Sequence, residues 1–151
     1  MKHIFLVSGL LFSLSLMFVT ISCTNDDNAD PSQTIIADNV QLGTWRITSF
    51  IDSGKDETGQ FNGFTFLFGS NGTLTSTNGS VTYTGSWNLN DNSSNDDSLD
   101  DLDFNILFNL DNDFEELNED WHFVSQSANR IELIHVSGGN GGTDYLTFEK
   151  S

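Results

Sequence analysis

Few side chains in this 151-residue chain can do chemistry beyond carrying charge. Cys23 is the single cysteine, and of three histidines only His122 and His135 stand outside the apolar N-terminus. A lone thiol excludes an intrachain disulfide. The two histidines could join carboxylates around zinc, but neither has a histidine four residues away on a helix or a cysteine partner. Each is expected to be a strand histidine satisfied by ordinary hydrogen bonds, so no metal ligand and no cofactor is assigned. No Gly-x-Ser-x-Gly elbow or phosphate-binding loop occurs. The run "SGGNGG", Ser137 to Gly142, follows a strand pattern without opening a helix and reads as a hairpin loop. Carboxylates are abundant instead: twelve Asp and Glu lie between Asp91 and Asp120, with no Lys or Arg. A catalytic pair cannot be picked from so many, because separation in space decides that role. The pieces "DLDFN" and "DNDFEE" offer oxygens of the kind calcium prefers, yet lack the glycine and flanking helices of an EF-hand loop. Solvated loops at one rim of the fold are expected, Asp96, Asp97, Asp100 and Asp101 among them. No catalytic residue is assigned, and an enzyme is not expected.

The elements that carry these residues begin after an N-terminal leader. Lys2 and His3 precede a mostly apolar run from Ile4 to Ile21, interrupted by Ser8, Gly9, Ser13, Ser15 and Thr20. Charge, apolar run and small residue in that order make residues 1–22 a secretory signal peptide, outside the fold. An uncleaved membrane helix is the other reading, since about 18 apolar residues just span a bilayer. Behind it, 22 acidic residues face four basic ones, Arg46, Lys55, Arg130 and Lys150. So negative a surface repels phosphate backbones and anionic headgroups, which excludes nucleic acid as a partner and requires membrane attachment by other means.

That means is legible at Cys23. Thr20-Ile21-Ser22-Cys23 resembles the bacterial lipobox, in which a peptidase cuts before a cysteine that then carries palmitate-type acyl chains. Ser22 fits the small residue required, and Thr20 departs from the usual leucine. Each buried methylene contributes about 0.8 kcal/mol, and more than one chain anchors stably. Thr24-Asn25-Asp26-Asp27 looks like the acidic export signal that sends some Bacteroidota lipoproteins to the outside of the outer membrane, although the same composition suits a plain tether. Residues 23–40 are polar, contain Pro31, and are expected to be a flexible acidic tether to a domain spanning 41–151.

Past Val40 the pattern has a period of two. Val81, Tyr83, Trp87 and Leu89 alternate with polar residues, as do Leu102, Phe104, Ile106, Phe108 and Leu110. This puts one apolar row on one face of a strand. Strands are expected near 42–51, 61–68, 73–77, 80–89, 102–110, 120–126, 130–137 and 143–149, with no comparable amphipathic helix. Asn71-Gly72 and Asn78-Gly79 supply the positive φ that tight hairpins demand. The expected class is all-β, an eight-stranded antiparallel up-and-down barrel, since closure removes Phe-rich edges prone to aggregation.

"LGTWRITSF", Leu42 to Phe50, resembles the Gly-x-Trp opening strand of lipocalins, and "FTFLFGSNGTLTSTNGSVTYTGSWNL" has the shape seen in Bacteroidota lipocalin-like lipoproteins. In that family the Trp plugs one end of the barrel and a basic side chain near the end of the last strand packs on it. The resemblance implies these barrel-closing structural roles for Gly43, Trp45 and Lys150, with Arg130 as the second candidate cation. Arg46 neighbours Trp45 and is expected on the opposite face.

Two functions from different classes follow. The first is a lipid-anchored envelope barrel that binds a small apolar or amphipathic ligand through Phe64, Phe66, Phe68, Tyr83, Trp87, Phe104, Ile106 and Phe108. The second is a solid-core scaffold whose acidic rim meets a basic envelope protein. A narrow barrel fills its interior with the same side chains a wider one turns toward a ligand, so the sequence leaves both open.

Overall fold

The computed structural model describes residues 31–91, 102–139 and 141–151. Cys23, residues 1–22 expected as a signal peptide, and Asp96–Asp101 lie outside the described residues. Among the described residues, nine strands form one antiparallel sheet: β1 Trp45–Asp52, β2 Lys55–Asp56, β3 Thr65–Phe68, β4 Thr73–Thr77, β5 Thr82–Asp91, β6 Leu102–Leu107, β7 Asp120–Gln126, β8 Arg130–Val136 and β9 Thr143–Lys150. β2 is a two-residue return of β1, and the other eight follow one another around the sheet until β9 pairs back onto β1. The fold is therefore all-β, a closed eight-stranded up-and-down barrel, and all eight expected strands are present. Among the described residues, no helix is long and apolar enough to cross a membrane.

Two expected boundaries and one strand pairing show the effect of local geometry. Strand pairing begins at Thr65 rather than 61, because Thr58–Phe61 forms a 3-10 turn and Gly63 adopts a φ of 83°. β6 stops at Leu107 rather than 110. Beyond it the side chain of Asn118 stands in for a neighbouring strand, accepting from Phe108 N–H at 2.5 Å and donating to Phe108 O at 2.8 Å. β1 meets β3 at the single pair Trp45↔Phe66; the 3-10 turn lays buried Phe61 edge-on against Phe50 beside the gap, which remains an open groove of about 760 Å³.

The larger difference lies before the barrel. Pro31–Gln41, within the stretch expected to be a tether, is an α-helix, α1. Proline suits a first helical turn, where its missing N–H has no partner to lose. Ile36 and Val40, one turn apart, are buried against the barrel while Ile35 is exposed. Two apolar positions make a weak periodic signal, and the helix gains most of its stability from what it packs on.

The barrel has two dissimilar ends. α1 lies at the end formed by the start of β1 and the finish of β9, where Gln33 Nε2 also donates to the Leu89 carbonyl at 3.1 Å. The far end carries the β1–β2 turn, the β8–β9 loop and a 3-10 helix, Asp113–Leu117, which places Phe114 and Leu117 in the core. β6 runs from one end to the other, so the acidic block expected at one rim is divided. Asp103 sits on the wall and Asp111 to Asp120 lie at the far end.

Candidate functional site

The eight residues proposed to line a ligand pocket are brought together, and they pack on one another. Phe66, Phe68, Trp87, Phe104, Ile106 and Phe108 are buried, with Phe64 and Tyr83 half-buried beside them. Phe68 meets Trp87 and Phe104 at centroid distances of 5.4 Å each and Phe148 at 5.6 Å. Phe66 meets Phe148 at 5.4 Å, and Phe104 meets Phe123 at 5.6 Å. These are the tilted and edge-on separations that aromatic pairs favour. The central residue was not anticipated. Phe114 lies 4.8 to 5.3 Å from Tyr83, Phe64, Phe108 and Phe61, and 6.0 Å from Phe66. It arrives on the 3-10 helix outside any strand pattern, so alternation carried no sign of it.

At the other end, Trp45 is fully buried and Lys150 Nζ lies 3.9 Å above its ring. The two residues are register partners of β1 and β9. The ammonium also donates to Asn39 O at 3.1 Å, and burial lowers its pKa. Gly43 has a φ of 76°, a conformation that a side chain disfavours. Arg46 is exposed and pairs with Glu149 at 3.4 Å, on the face opposite the indole. Arg130 pairs with Glu132 and Glu149 and stays away from Trp45.

All three tryptophans do the same work. Trp45 Nε1 donates to Val40 O at 2.8 Å, Trp87 Nε1 to Gly69 O at 2.9 Å and Trp121 Nε1 to Leu117 O at 3.1 Å. Each indole is sunk in the core and tethers a non-strand segment by its one polar atom: α1, the β3–β4 turn and the 3-10 helix.

Among the described residues, the far end holds two groups of ionisable side chains. In the first, Glu57 is buried, pairs with Lys55, and lies with Asp52 and Glu116 so that one oxygen from each falls within 4.8 Å of the others. Glu116 is exposed as a residue. Loss of water around its carboxyl, a hydrogen bond to Glu57 and the charges of Glu57, Asp52 and Asp113 nevertheless push its pKa up to about 7. The same hydrogen bond, with Lys55, holds Glu57 below its usual value. A carboxyl whose folded pKa is raised binds more protons folded than unfolded, so stability falls as pH rises between the two values. Wild-type stability should therefore carry a declining component from about pH 4.5 to about pH 7. Glu116→Gln should remove it and be the more stable protein at pH 8, as read by urea denaturation across that range. An unchanged slope would refute the pairing.

In the second group His135 Nε2 lies 3.3 Å from Glu119 Oε2, and Asp144 completes a triad whose ligand atoms fall within 4.8 Å of one another. His122 is elsewhere, on the outer wall, 3.0 Å from Asp103.

No family model matches the chain, and no curated protein matches it. Among solved structures it is similar to a DUF4847 family protein from Bacteroides vulgatus ATCC 8482, with 18% identity over 74% of this chain and 94% of that one, and a TM-score of 0.46. A likeness of that size carries no functional argument to this chain.

Proposed function

We propose that this chain is a lipid-anchored cell-envelope protein whose filled barrel is a rigid interaction module for a basic partner. The observation that carries this reading is the interior, where ring meets ring from Phe68 to Phe114. A ligand carrier needs a cavity of roughly 300 Å³ or more; here a space of that size is an open groove of about 760 Å³ at the β1–β3 gap, lined by Arg46, Thr48, Asn62 and Thr65, whereas between Trp45 and Phe114 the core rings pack on one another. Charge supports the same reading. Each of the four basic residues behind the leader is engaged within the chain: Arg46 and Arg130 on Glu149, Lys55 on Glu57, Lys150 on Trp45 and Asn39. Exposed Asp111, Asp113, Glu115 and Asp120 thus leave a negative end for a partner's Lys and Arg to neutralise. Such a surface accelerates encounter and makes association sensitive to salt.

Anchoring rests on the lipobox-like Thr20–Cys23. On this reading the acyl chains hold the protein at the outer membrane, and Thr24–Asp27 directs it to the surface. Cys23→Ala is expected to abolish acylation and release the protein from the membrane fraction with its circular dichroism unchanged. Undiminished attachment would sink the anchor.

The module itself is tested by extracting lipids from natively purified protein and by crosslinking intact cells. The expected result is no stoichiometric bound lipid and one reproducible basic envelope partner, whose capture falls in high salt and in an Asp111→Asn, Asp113→Asn, Glu115→Gln triple variant. Recovery of one bound apolar molecule per chain would favour the ligand carrier instead.

A further inference from the structure

The second ionisable group at the far end has no part in the interaction module. We propose that Glu119, His135 and Asp144 form a binding site for one divalent metal ion of the zinc class, with a coordination position left for water. The proposal is independent of how the barrel interior is filled.

Register builds the site. His135 and Asp144 are direct cross-strand partners of β8 and β9. They continue the inward-facing rows of Leu133 and Leu146 to the barrel rim. Glu119 comes immediately before β7, which is the strand next to β8 in the wall. Tetrahedral zinc with bonds of about 2.0–2.1 Å sets its ligand atoms roughly 3.3 Å apart. His135 Nε2 and Glu119 Oε2 already stand at 3.3 Å. Asp144 is within the same 4.8 Å envelope, so a small rotation of its carboxylate or that of Glu119 closes the set.

The groups behind the triad orient it as metal ligands are oriented. His135 Nδ1 lies 3.1 Å from the Asp120 carbonyl. A carbonyl only accepts, so in the neutral ring the proton sits on Nδ1 and the unprotonated Nε2 is the atom that stands beside Glu119. A metal-bound histidine needs that tautomer, and a backbone carbonyl is a usual means of holding it. Asp144 is buried, and its Oδ1 accepts from Ser53 N–H at 2.7 Å and from Ser53 Oγ at 3.4 Å, which holds the carboxylate in place at the triad. Ser53 takes a φ of 48°, in the left-handed region, within the β1–β2 turn that brings this N–H to Asp144. Beneath the imidazole, buried Trp121 packs edge-on at a centroid distance of 6.1 Å and gives the site an apolar floor.

Imidazole with two carboxylates is a donor set that suits zinc, and three protein ligands with one open position is the pattern of zinc sites that keep a water. Asp52, Glu57 and Glu116 differ: they are all carboxylates, and Lys55 already compensates Glu57. They serve as the control.

The test uses the full chain carrying Cys23→Ala, so that the thiol takes no part, titrated with Zn²⁺ by calorimetry and with Co²⁺ by visible absorption. One equivalent should bind per chain, Co²⁺ should give the intense visible bands of four-coordinate geometry, and His135 ring resonances should move while those of His122 stay. His135→Ala should weaken binding by more than about 100-fold, beyond the 10–100-fold cost of losing an outer-shell partner. Glu116→Gln should bind as the parent does. Circular dichroism checks that each variant is folded, and the histidine resonances of the parent decide the matter should His135→Ala fail to fold. Absence of saturable Zn²⁺ binding, parental affinity in folded His135→Ala, or Zn²⁺ binding with unmoved His135 resonances would each overturn the site.

Discussion

Phe114→Ala is expected to cost about 3–5 kcal/mol of stability, the range for removing a buried phenylalanine, and to give the barrel a space that an apolar probe can enter. Phe114 contacts five rings and is only 3% exposed. Those rings belong to β3, β5, the segment after β6 and the turn before β3. They come from separate elements of a closed wall, so they cannot collapse together without moving strands, and the cavity should persist. Apolar engineered cavities of this kind stay dry and take up benzene or xenon. Urea denaturation reads the stability loss, and xenon-dependent chemical shifts or a benzene-dependent rise in Tm read the cavity. Parental behaviour in both would mean that the ring does not close the far end. Probe uptake by the unmodified protein would show the interior to be open already, and would return the ligand carrier to first place.

Trp45→Ala tests the opposite end and is expected to cost a similar 3–5 kcal/mol, with a second, local consequence. The indole joins three parts at once: it is fully buried, its N–H holds the last turn of α1 through Val40, and its face carries Lys150. Removal leaves the ammonium over a void with only the Asn39 carbonyl as partner. Amides from Ile36 to Leu42 should then exchange far faster than those of β8 and β9. Trp45→Phe keeps a ring and loses the hydrogen bond, so it should cost about 1 kcal/mol from that bond while loosening α1. Lys150→Met should cost roughly 0.5–2 kcal/mol. Unaltered exchange of α1 in both Trp45 variants would show that the helix docks through Ile36 and Val40 alone.

The eight strands were legible because their signal is local. Side chains alternate across a strand, so Leu102, Phe104 and Ile106 declare a face without reference to any partner. Asn-Gly pairs likewise declare hairpins from two residues. Cross-strand partners that depend on register were legible only where a family pattern pointed to them, as for Trp45 with Lys150. His135 and Asp144 show the limit. They are nine positions apart in sequence, with no motif to join them, and become direct neighbours only when β8 pairs with β9 in one register. An expectation built on helical spacing could not see that pair.

Three matters were settled by tertiary structure. α1 forms because two apolar side chains find the end of the barrel, a contribution that helix propensity in a polar stretch does not contain. Phe114 reaches the core from a 3-10 helix, where period-two reasoning has no purchase. Whether Phe-rich strands enclose a space or fill it depends on the volume left once the wall closes and on what enters from either end. The strand count, the inward rows and the acidic charge follow from neighbours along the chain alone. The ring-on-ring packing of the interior, the docking of α1 and the meeting of His135 with Asp144 and Glu119 came from closure, which brings together residues that no local pattern relates.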